Sequence, residues 1–435
     1  MNKIGLRKEE KAFEGRSPIV PDHIQQLKDK YNLEFIVEPS NQRAFSSEEY
    51  ETAGAEVHTL DSPNIRLILG IKEMPLDFFQ KDKMYIFFSH TIKGQKKNMP
   101  MLQRIIDVGA SLLDYERVVD KSGRRLIYFG NWAGMAGIAE TLRIFGDILE
   151  QKSIEPNPFA DLKKTLEYKT LDHLKEEFHK ISQNILSDGL PESLLPFVIG
   201  FAGYGNVSRG AQEVFDILPH REITPSQLQN LSPDNHTLYK CVFKESDMVK
   251  PIDSSADFDL QDYYQHGSSK YRGVFTEYVP YLTILMNCIF WTKKYPRLIT
   301  KDYIKSHWNK PDRKLEMIGD ISCDINGAIE FTVQCTTAGS PAFTYSIEND
   351  EATLGIEGNG PVIMAVDNLP CELPRESSTS FSETLLDFIP DLANADLDVP
   401  FSKLDLPAEL KNAIIVYQGA LTKNYEYLAE YLKSS

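Results

Sequence analysis

Short apolar runs alternate with amphipathic segments through the first third of the chain. The apolar runs are bounded by charged or turn-forming residues, which is typical of buried strands. The predicted strands are Lys3–Leu6, Glu34–Glu38, Arg66–Ile71, Met84–Ser89, Ser111–Asp114 and Arg125–Gly130. Between them, Pro21 suits the first turn of a helix that reaches about Tyr31, and Ser46 with Glu49 reads as a capping box. Strand and helix in alternation predict an α/β protein with a mostly parallel sheet.

The middle of the chain predicts a second domain. A long helix is expected over Ala133–Gln151, and a polar helical pattern follows over Asp161–Leu186. Further strands are expected at Pro196–Ala202, His220–Thr224, Leu238–Phe243, Leu282–Ile289 and Leu315–Ile321. From Thr344 the pattern returns to that of the first third, with helices near Phe381–Phe388, Pro407–Tyr417 and Tyr425–Leu432. We therefore expect a discontinuous first domain, 1–135 with 341–435, and an inserted second domain, 136–340, with a helical insertion near 155–191.

Composition narrows the class of protein. The chain has 435 residues, 42% of them hydrophobic, and its 47 Lys and Arg against 63 Asp and Glu leave a formal charge of −16. This balance is globular, and its acidity argues against a nucleic-acid or membrane-surface partner. Five scattered cysteines with no C-x-x-C pair disfavour a disulfide framework, and no metal site is expected. The first residues are charged where a signal peptide is apolar, so we expect a cytoplasmic protein.

Polar groups follow several of the predicted strands. Lys72 follows one strand, His90 follows the next, and Asp114 precedes Glu116 at the end of a third. In a parallel sheet, ligands bind at the carboxyl ends of the strands. Together these residues would form a site with both donors and bases, although each of them alone is more often solvated or structural.

A glycine-rich turn follows the strand at Pro196–Ala202. Gly203-x-Gly205 before a helix suits a tight turn whose helix N-terminus can hold a pyrophosphate. The third glycine of the dinucleotide fingerprint is replaced by Ser208. On this motif alone, a strand-to-helix turn that binds no ligand is about as probable as one that binds a dinucleotide.

Longer strings of residues carry a resemblance to a known family. They include Glu14-x-Arg16-Ser17-Pro18, Leu69-Gly70-Ile71-Lys72-Glu73-Met74-Pro75, Phe87-Phe88-Ser89-His90-Thr91-Ile92-Lys93, Gly203-x-Gly205-Asn206-Val207-Ser208-x-Gly210-Ala211, Asp320-Ile321-Ser322-x-Asp324 and Asp367-Asn368-Leu369-Pro370. With these strings the chain resembles the lysine–2-oxoglutarate reductase portion of aminoadipic semialdehyde synthase. It resembles lysine-forming saccharopine dehydrogenase more distantly, and both lie in the alanine dehydrogenase/transhydrogenase superfamily.

The resemblance implies two Rossmann-like domains with an active site in the cleft between them. It implies an oxidoreductase that interconverts lysine, 2-oxoglutarate and reduced nicotinamide cofactor with saccharopine, through an imine that accepts hydride. The implied partners are these small molecules. We expect a monomer or a homodimer, and the sequence does not choose between them.

The resemblance also implies roles for individual residues. Lys72, His90 and Asp324 match catalytic positions. The implied substrate-binding residues are Lys11, Arg16, Lys93, Glu116 and Arg125. The implied cofactor-binding residues are Gly203, Tyr204, Gly205, Asn206, Val207, Ser208, Thr224, Asn368 and Leu369.

The cofactor is expected to be NADP rather than NAD. NAD sites usually carry Asp or Glu at the end of the second strand, and here the strand ends in Thr224. Two other functions stay open on the sequence. One is a related amino-acid dehydrogenase or imine reductase with another keto acid and amine, and the other is a catalytically silent nucleotide-binding protein.

Overall fold

The computed structural model describes residues 3–433, which form two compact units. The first unit joins the chain up to Phe129 with the chain from Pro374 onward, and the second is Gly130–Leu373. Each unit has its own sheet and its own apolar core. Within residues 3–433, none of the helices combines the length and the apolar character needed to cross a membrane.

The strands and helices are numbered here in chain order. The strands are β1 Lys3–Leu6, β2 Phe35–Val37, β3 Glu56–Val57, β4 Ile65–Leu69, β5 Met84–Phe87, β6 Ser111–Asp114, β7 Val198–Ala202, β8 His220–Ile223, β9 Leu238–Phe243, β10 Val249–Pro251, β11 Tyr271–Gly273, β12 Ile284–Asn287, β13 Met317–Asp320, β14 Ala342–Ser346, β15 Glu351–Leu354, β16 Val362–Met364, β17 Ile414–Tyr417 and β18 Ala420–Leu421. The α-helices are α1 Pro21–Tyr31, α2 Ser47–Thr52, α3 Met99–Asp107, α4 Gly130–Gln151, α5 Leu171–Asp188, α6 Asn206–Phe215, α7 Glu245–Met248, α8 Leu260–His266, α9 Lys301–His307, α10 Pro374–Leu385, α11 Ile389–Asn394, α12 Ala408–Lys411 and α13 Ala429–Leu432.

The sheet of the first unit has the order β18-β17-β6-β5-β4-β1-β2-β3. From β6 to β3 all neighbours are parallel, and β17 and β18 join antiparallel. The central strands are buried on both faces, as their continuous apolar runs indicate. The carboxyl ends of β1, β4, β5 and β6 therefore lie side by side at one edge of this sheet.

The sheet of the second unit has the order β15-β14-β16-β13-β12-β7-β9-β8. From β8 to β16 its neighbours are parallel, and β14 and β15 are antiparallel additions at one side. β10 and β11 pair as a separate antiparallel ribbon. The mostly parallel α/β architecture predicted from the sequence is confirmed in both units.

The sequence places the end of the inserted second domain at residue 340, which is too early. Residues 342–364 form β14, β15 and β16, which pair with the sheet of the second unit. Phe343 and Tyr345 are fully buried in that unit's core. The chain returns to the first unit at Pro374, where α10 begins.

Three predicted elements are also wrong in part. Arg125–Gly130 is not a strand, because Arg125 makes only an isolated bridge to Val119 and Gly130 already belongs to α4. The helix expected from Asp161 begins only at Leu171, where the Thr170 side chain accepts a hydrogen bond from the His173 amide at 3.3 Å. The helix expected over 407–417 stops at Lys411, and the apolar residues after it form β17.

Two glycines allow α4 and α6 to pack with their backbones in contact. A Cβ atom on Gly134 would lie 1.9 Å from the Val207 carbonyl oxygen, and one on Gly210 would lie 2.0 Å from the Asn131 carbonyl oxygen. Close helix packing is a role that the third glycine of the fingerprint usually fills. Here Gly210, two residues after Ser208, makes the close approach to α4.

Gly210→Ala is expected to lower the free energy of unfolding by about 1–3 kcal/mol, the usual cost of overpacking. The added methyl group would meet backbone atoms, which cannot move aside as a flexible side chain can. Urea unfolding of the wild type and the variant measures this loss. Gly205→Ala is the matched control for stability, because a Cβ there meets nothing within 4 Å. Equal stability of both variants would contradict the close packing described here.

Candidate active site

Lys72 lies just past the carboxyl end of β4. The Gly70 amide donates to the Ile86 carbonyl at 3.0 Å, and the Phe88 amide donates to the Ile71 carbonyl at 3.1 Å, so β4 and β5 stay paired up to this point. The Lys72 side chain is half-buried. Burial lowers the pKa of Lys72, and the positive charges of Arg16 and Lys11 lower it further. A larger fraction of this amine is therefore neutral at a given pH than in a solvated lysine.

His90 lies past the carboxyl end of β5, in a left-handed backbone conformation with φ of 48°. Its Nδ1 atom is 2.7 Å from Glu73 Oε1, and the ring remains 38% exposed. The Asn98 side-chain amide donates to the His90 carbonyl at 3.0 Å and fixes the turn. The ring also lies nearly parallel to that of Phe88, with centroids 6.5 Å apart.

Glu73 orients the imidazole of His90. Burial works to raise the pKa of Glu73, but the hydrogen bond and the charge of His90 outweigh it and lower the pKa to about 2. An ionised carboxylate only accepts hydrogen bonds, so Nδ1 of His90 carries the hydrogen. The contact with Glu73 therefore uses Nδ1 of His90 and not Nε2.

Arg16 follows β1 and forms a buried ion pair with Glu14. Its Nε and Nη2 atoms lie 2.7 and 2.5 Å from the two Glu14 carboxylate oxygens, and the side chains are 2% and 0% exposed. The guanidinium also lies 4.2 Å from the centroid of the Phe129 ring. Sequence reasoning named Arg16 but missed Glu14, although both lie in the same Glu-x-Arg string.

The other predicted substrate-binding residues have different surroundings. Lys11 and Lys93 are exposed. Arg125 is half exposed and hydrogen bonds to the largely buried carboxylate of Glu116. Glu116 is placed by Asp114, whose carboxylate accepts its amide at 2.8 Å. Of these residues the structure brings Lys11 near Lys72, whereas Lys93 and Arg125 lie on the segments that follow β5 and β6.

Asp114 is a buried acid that the sequence did not single out for a structural role. It accepts hydrogen bonds from the amide and the hydroxyl of Ser89, the residue before His90. Burial raises the pKa of Asp114 to about 6 despite these hydrogen bonds. The end of β6 thus supports the turn that carries His90.

In the second unit, the glycine-rich turn joins β7 to α6. Gly203 has a φ of 93°, which only glycine adopts readily, and Gly205 precedes the first residue of α6. Tyr204 and Gly205 are exposed, whereas Ser208 is fully buried. The turn borders a cavity of about 320 Å³, which is lined by Gly203, Tyr204, Gly205, Glu245, Met248, Tyr263, Tyr264, Cys288, Ile289, Phe290 and Tyr295.

Thr224 lies at the carboxyl end of β8, as predicted, and is exposed. It borders a second cavity of about 500 Å³ together with Ser226, Lys240 and Lys244. Glu222 also borders this cavity, where its carboxylate is 2.9 Å from Lys240 Nζ. Hydroxyl and ammonium groups therefore line this cavity together with two carboxylates, those of Glu222 and Asp247.

The remaining predicted residues of the second unit have distinct settings. Asp324 is exposed in the loop after β13, while Asp320 before it is buried and accepts from Asn287 and Thr332 at 2.8 and 2.5 Å. Leu369 is 2% exposed and packs in the core of the unit, near Gly137. The side chain of Leu369 thus packs the core, and Asn368 beside it is also buried.

Two sequence profiles of one family match this chain in order. The N-terminal domain of alanine dehydrogenase/PNT matches residues 5–136, and the C-terminal domain of the same family matches residues 273–424. Together they span more than half of the chain. The chain belongs to the alanine dehydrogenase/PNT family. A solved L-alanine dehydrogenase superposes with a TM-score of 0.60 over 99% of each chain, at 17% identity, which supports the shared fold.

Two curated relatives are more similar in sequence. The chain is 37% identical to alpha-aminoadipic semialdehyde synthase of Arabidopsis thaliana over 97% of its own length, and it spans 41% of that protein. It is 29% identical to saccharopine dehydrogenase (NAD+, L-lysine-forming) of Emericella nidulans, over 88% of this chain and 90% of that one. The chain thus spans less than half the length of the first relative and most of the second.

Proposed function

We propose that this protein is an oxidoreductase that interconverts lysine, 2-oxoglutarate and NADPH with saccharopine, NADP⁺ and water. The observation that carries the proposal is one sheet edge that holds both Lys72, with its lowered pKa, and the His90–Glu73 pair. Similarity to enzymes of this name supports the choice of substrates. Condensing an amine with a keto group and reducing the imine requires a base, an acid and a hydride donor.

Lys72 would exchange protons at the substrate nitrogen. The ε-ammonium of the substrate lysine must lose a proton before its nitrogen can attack the keto carbon. A neutral Lys72 amine can accept that proton, and its lowered pKa provides the neutral form. In the reverse direction the resulting Lys72 ammonium returns the proton to the amine.

His90 would exchange protons at the substrate oxygen. Protonated Nε2 can donate to the keto oxygen during attack and to the carbinolamine hydroxyl as water leaves. Glu73 holds the opposite ring nitrogen at 2.7 Å, so the ring can change protonation state without turning. We also propose that Lys11, Arg16, Lys93 and Arg125 provide positive charge for the substrate carboxylates, with Glu116 placing Arg125.

The second unit would hold the cofactor. Gly205 leaves open space before the first turn of α6, so a pyrophosphate could approach the amides at that helix N-terminus. A bound nicotinamide would supply or accept the hydride. We also propose that Asp324, Asn368 and Leu369 lie beside the bound cofactor. Leu369 would make this contact through its backbone, because its side chain lies in the core.

Loss of NADPH absorbance with lysine plus 2-oxoglutarate tests the proposed reaction. We expect turnover that requires both substrates, with saccharopine identified by mass spectrometry. Turnover with pyruvate plus ammonia instead would identify a different amino-acid dehydrogenase. Cofactor binding without turnover on any pair would identify a silent nucleotide-binding protein and contradict the proposal.

We propose that NADPH is preferred over NADH. Thr224 ends β8 where NAD-dependent sites usually carry an acid that repels a 2′-phosphate. The adjoining cavity offers the hydroxyls of Thr224 and Ser226 and the ammonium of Lys244. The Glu222 carboxylate hydrogen bonds to Lys240, which lowers the pKa of Glu222, and Lys240 is shared with the Asp216 carboxylate.

Thr224→Asp is expected to weaken NADPH binding by about tenfold, which corresponds to about 1.4 kcal/mol. The new carboxylate would repel the 2′-phosphate, whereas NADH lacks that group and should bind almost unchanged. Fluorescence titration gives the dissociation constants of both cofactors. Thr224→Asn is the control, since it changes the side chain without adding charge. Equal weakening of both cofactors by Thr224→Asp would show that the 2′-phosphate does not bind at this cavity.

A reducing compartment such as the cytoplasm is also proposed. Within residues 3–433 no two cysteines are joined by a disulfide, which fits such a compartment. The proposed assembly is a monomer or a homodimer. Light scattering after size-exclusion chromatography would give the mass and so distinguish the two.

A further inference from the structure

We infer that Glu9 is the positioning residue for Lys72, because its carboxylate holds the backbone turn from which the Lys72 side chain projects. The inference rests on the proposed function, in which Lys72 exchanges protons with the substrate amine. Glu9 lies in the loop after β1, and β1 is the neighbour of β4 in the sheet. Its distance in sequence from Lys72 gives no hint of this contact.

The carboxylate of Glu9 binds two consecutive amides. The Ile71 amide donates to Glu9 Oε1 at 2.6 Å, and the Lys72 amide donates to Glu9 Oε2 at 3.0 Å. Glu9 is only 7% exposed, so water cannot readily replace either contact. Both oxygens are used, and an ionised carboxylate accepts from both amides with no hydrogen of its own to compete.

The neighbouring backbone groups on either side of these two amides are engaged in strand pairing. The Leu69 carbonyl accepts from the Arg7 amide at 2.9 Å, and the Ile71 carbonyl accepts from the Phe88 amide at 3.1 Å. Strand pairing thus fixes the carbonyls on either side of the turn, and Glu9 fixes its amides. Gly70 allows the approach, since a Cβ atom there would lie 3.3 Å from Glu9 Oε1 and 2.7 Å from the Met74 methyl carbon.

The strength of the two hydrogen bonds that Glu9 accepts depends on pH, because it depends on whether the carboxylate is ionised. Burial raises the pKa of Glu9 to about 7, and the nearby charge of Glu14 adds to the effect. The titratable and charged groups that face Glu9 from its own loop and from the neighbouring segments are Arg7, Glu14, Arg43 and Tyr115. Above this pKa both oxygens are unprotonated and accept from the two amides, and below it one oxygen carries a proton and holds its amide more weakly. Turnover should therefore fall as pH drops through about 7, partly through Glu9.

Glu9→Gln tests the inference, with Glu10→Gln as the matched control. The glutamine would place an NH₂ group against one of the two amide donors and displace the turn. A displacement on the order of 1 Å at a reacting group can cost about 10²-fold, so we expect kcat to fall by about 10- to 100-fold. The dissociation constant of NADPH should not change, and the part of the pH profile near 7 should flatten. Glu10 is exposed and pairs with the buried Arg7, so Glu10→Gln should lose some stability but retain the kcat and pH profile of the wild type.

A second readout needs no turnover. The rate at which an amine-selective acylating reagent modifies Lys72, followed by mass spectrometry of its peptide across pH, reports the reactivity of that amine. Glu9→Gln should shift this profile, and Glu10→Gln should not. If the wild type lacks activity with lysine and 2-oxoglutarate, the proposed function fails while this measurement still tests Glu9.

Three results would overturn the inference. One is a Glu9→Gln enzyme that is less stable but keeps the kcat and pH profile of the wild type, which would make Glu9 structural only. Another is an unchanged Lys72 labelling profile in that variant. If Glu9→Gln does not fold, hydrogen exchange of the wild-type peptide spanning residues 70–73 decides the matter. Protection that rises across pH 7, after correction for the intrinsic rate, supports the inference, and constant protection refutes it.

Discussion

Lys72→Met and His90→Gln are each expected to lower turnover by about 10²–10⁴-fold, the usual cost of losing a general acid–base group. Methionine keeps the length of Lys72 but cannot exchange a proton with the substrate amine. Glutamine at position 90 can still hydrogen bond near Glu73 but cannot donate and recover a proton at the substrate oxygen. Steady-state turnover with saturating substrates measures both losses.

The control for His90 is His58→Gln. His58 also pairs with a glutamate, since its Nε2 atom lies 3.2 Å from Glu56 Oε2, but both side chains are exposed. This variant should keep full turnover. Fluorescence titration of NADPH should give unchanged affinity for all three variants, because the glycine-rich turn belongs to the second unit. Near-normal turnover of Lys72→Met and His90→Gln would contradict the proposed mechanism.

Arg16→Ala is expected to lower the free energy of unfolding by about 3–5 kcal/mol, the usual cost of removing one partner of a buried ion pair. The variant leaves the buried Glu14 carboxylate without its guanidinium, and it also loses the contact with the Phe129 ring. The Michaelis constant for 2-oxoglutarate should rise as well, because positive charge leaves the sheet edge. Urea unfolding and substrate kinetics measure the two effects separately.

Arg124→Ala is the matched control for this ion pair. Arg124 pairs with Asp120 at 2.8 Å, but its side chain is 83% exposed, so its removal should leave stability close to that of the wild type. Replacing Arg16 and Glu14 together should recover part of the stability lost in Arg16→Ala, since no buried charge is then left without its partner. A stable Arg16→Ala protein with unchanged kinetics would contradict both roles assigned to this residue.

Much of the proposed site could be predicted from strand ends. Apolar runs located β4 and β5, and parallel pairing brings the residues after them to the same edge. The sequence alone therefore predicts that Lys72 and His90 share one site. The strings shared with a known family supplied the chemistry, which spacing alone does not.

The carboxylates could not be predicted in the same way. Glu9, Glu14 and Glu73 act through contacts with Lys72, Arg16 and His90, and an acid that is paired looks the same in sequence as one that is solvated. Periodicity also could not assign Ile414–Tyr417, because a short apolar run suits a buried strand and a buried helix alike. Its pairing with β6 decides in favour of a strand, and that partner lies in a remote part of the chain.

The pairing of β17 with β6 has a consequence for how the protein folds during synthesis. The second unit is one continuous segment and can form as soon as Leu373 has left the ribosome. The first sheet cannot be completed until β17 and β18 have been synthesised, so β6 keeps an unpaired edge while residues 115–413 are made. The segment made first is thus finished last, and a nascent chain stalled before residue 414 should be far more sensitive to protease in its N-terminal part than in its middle.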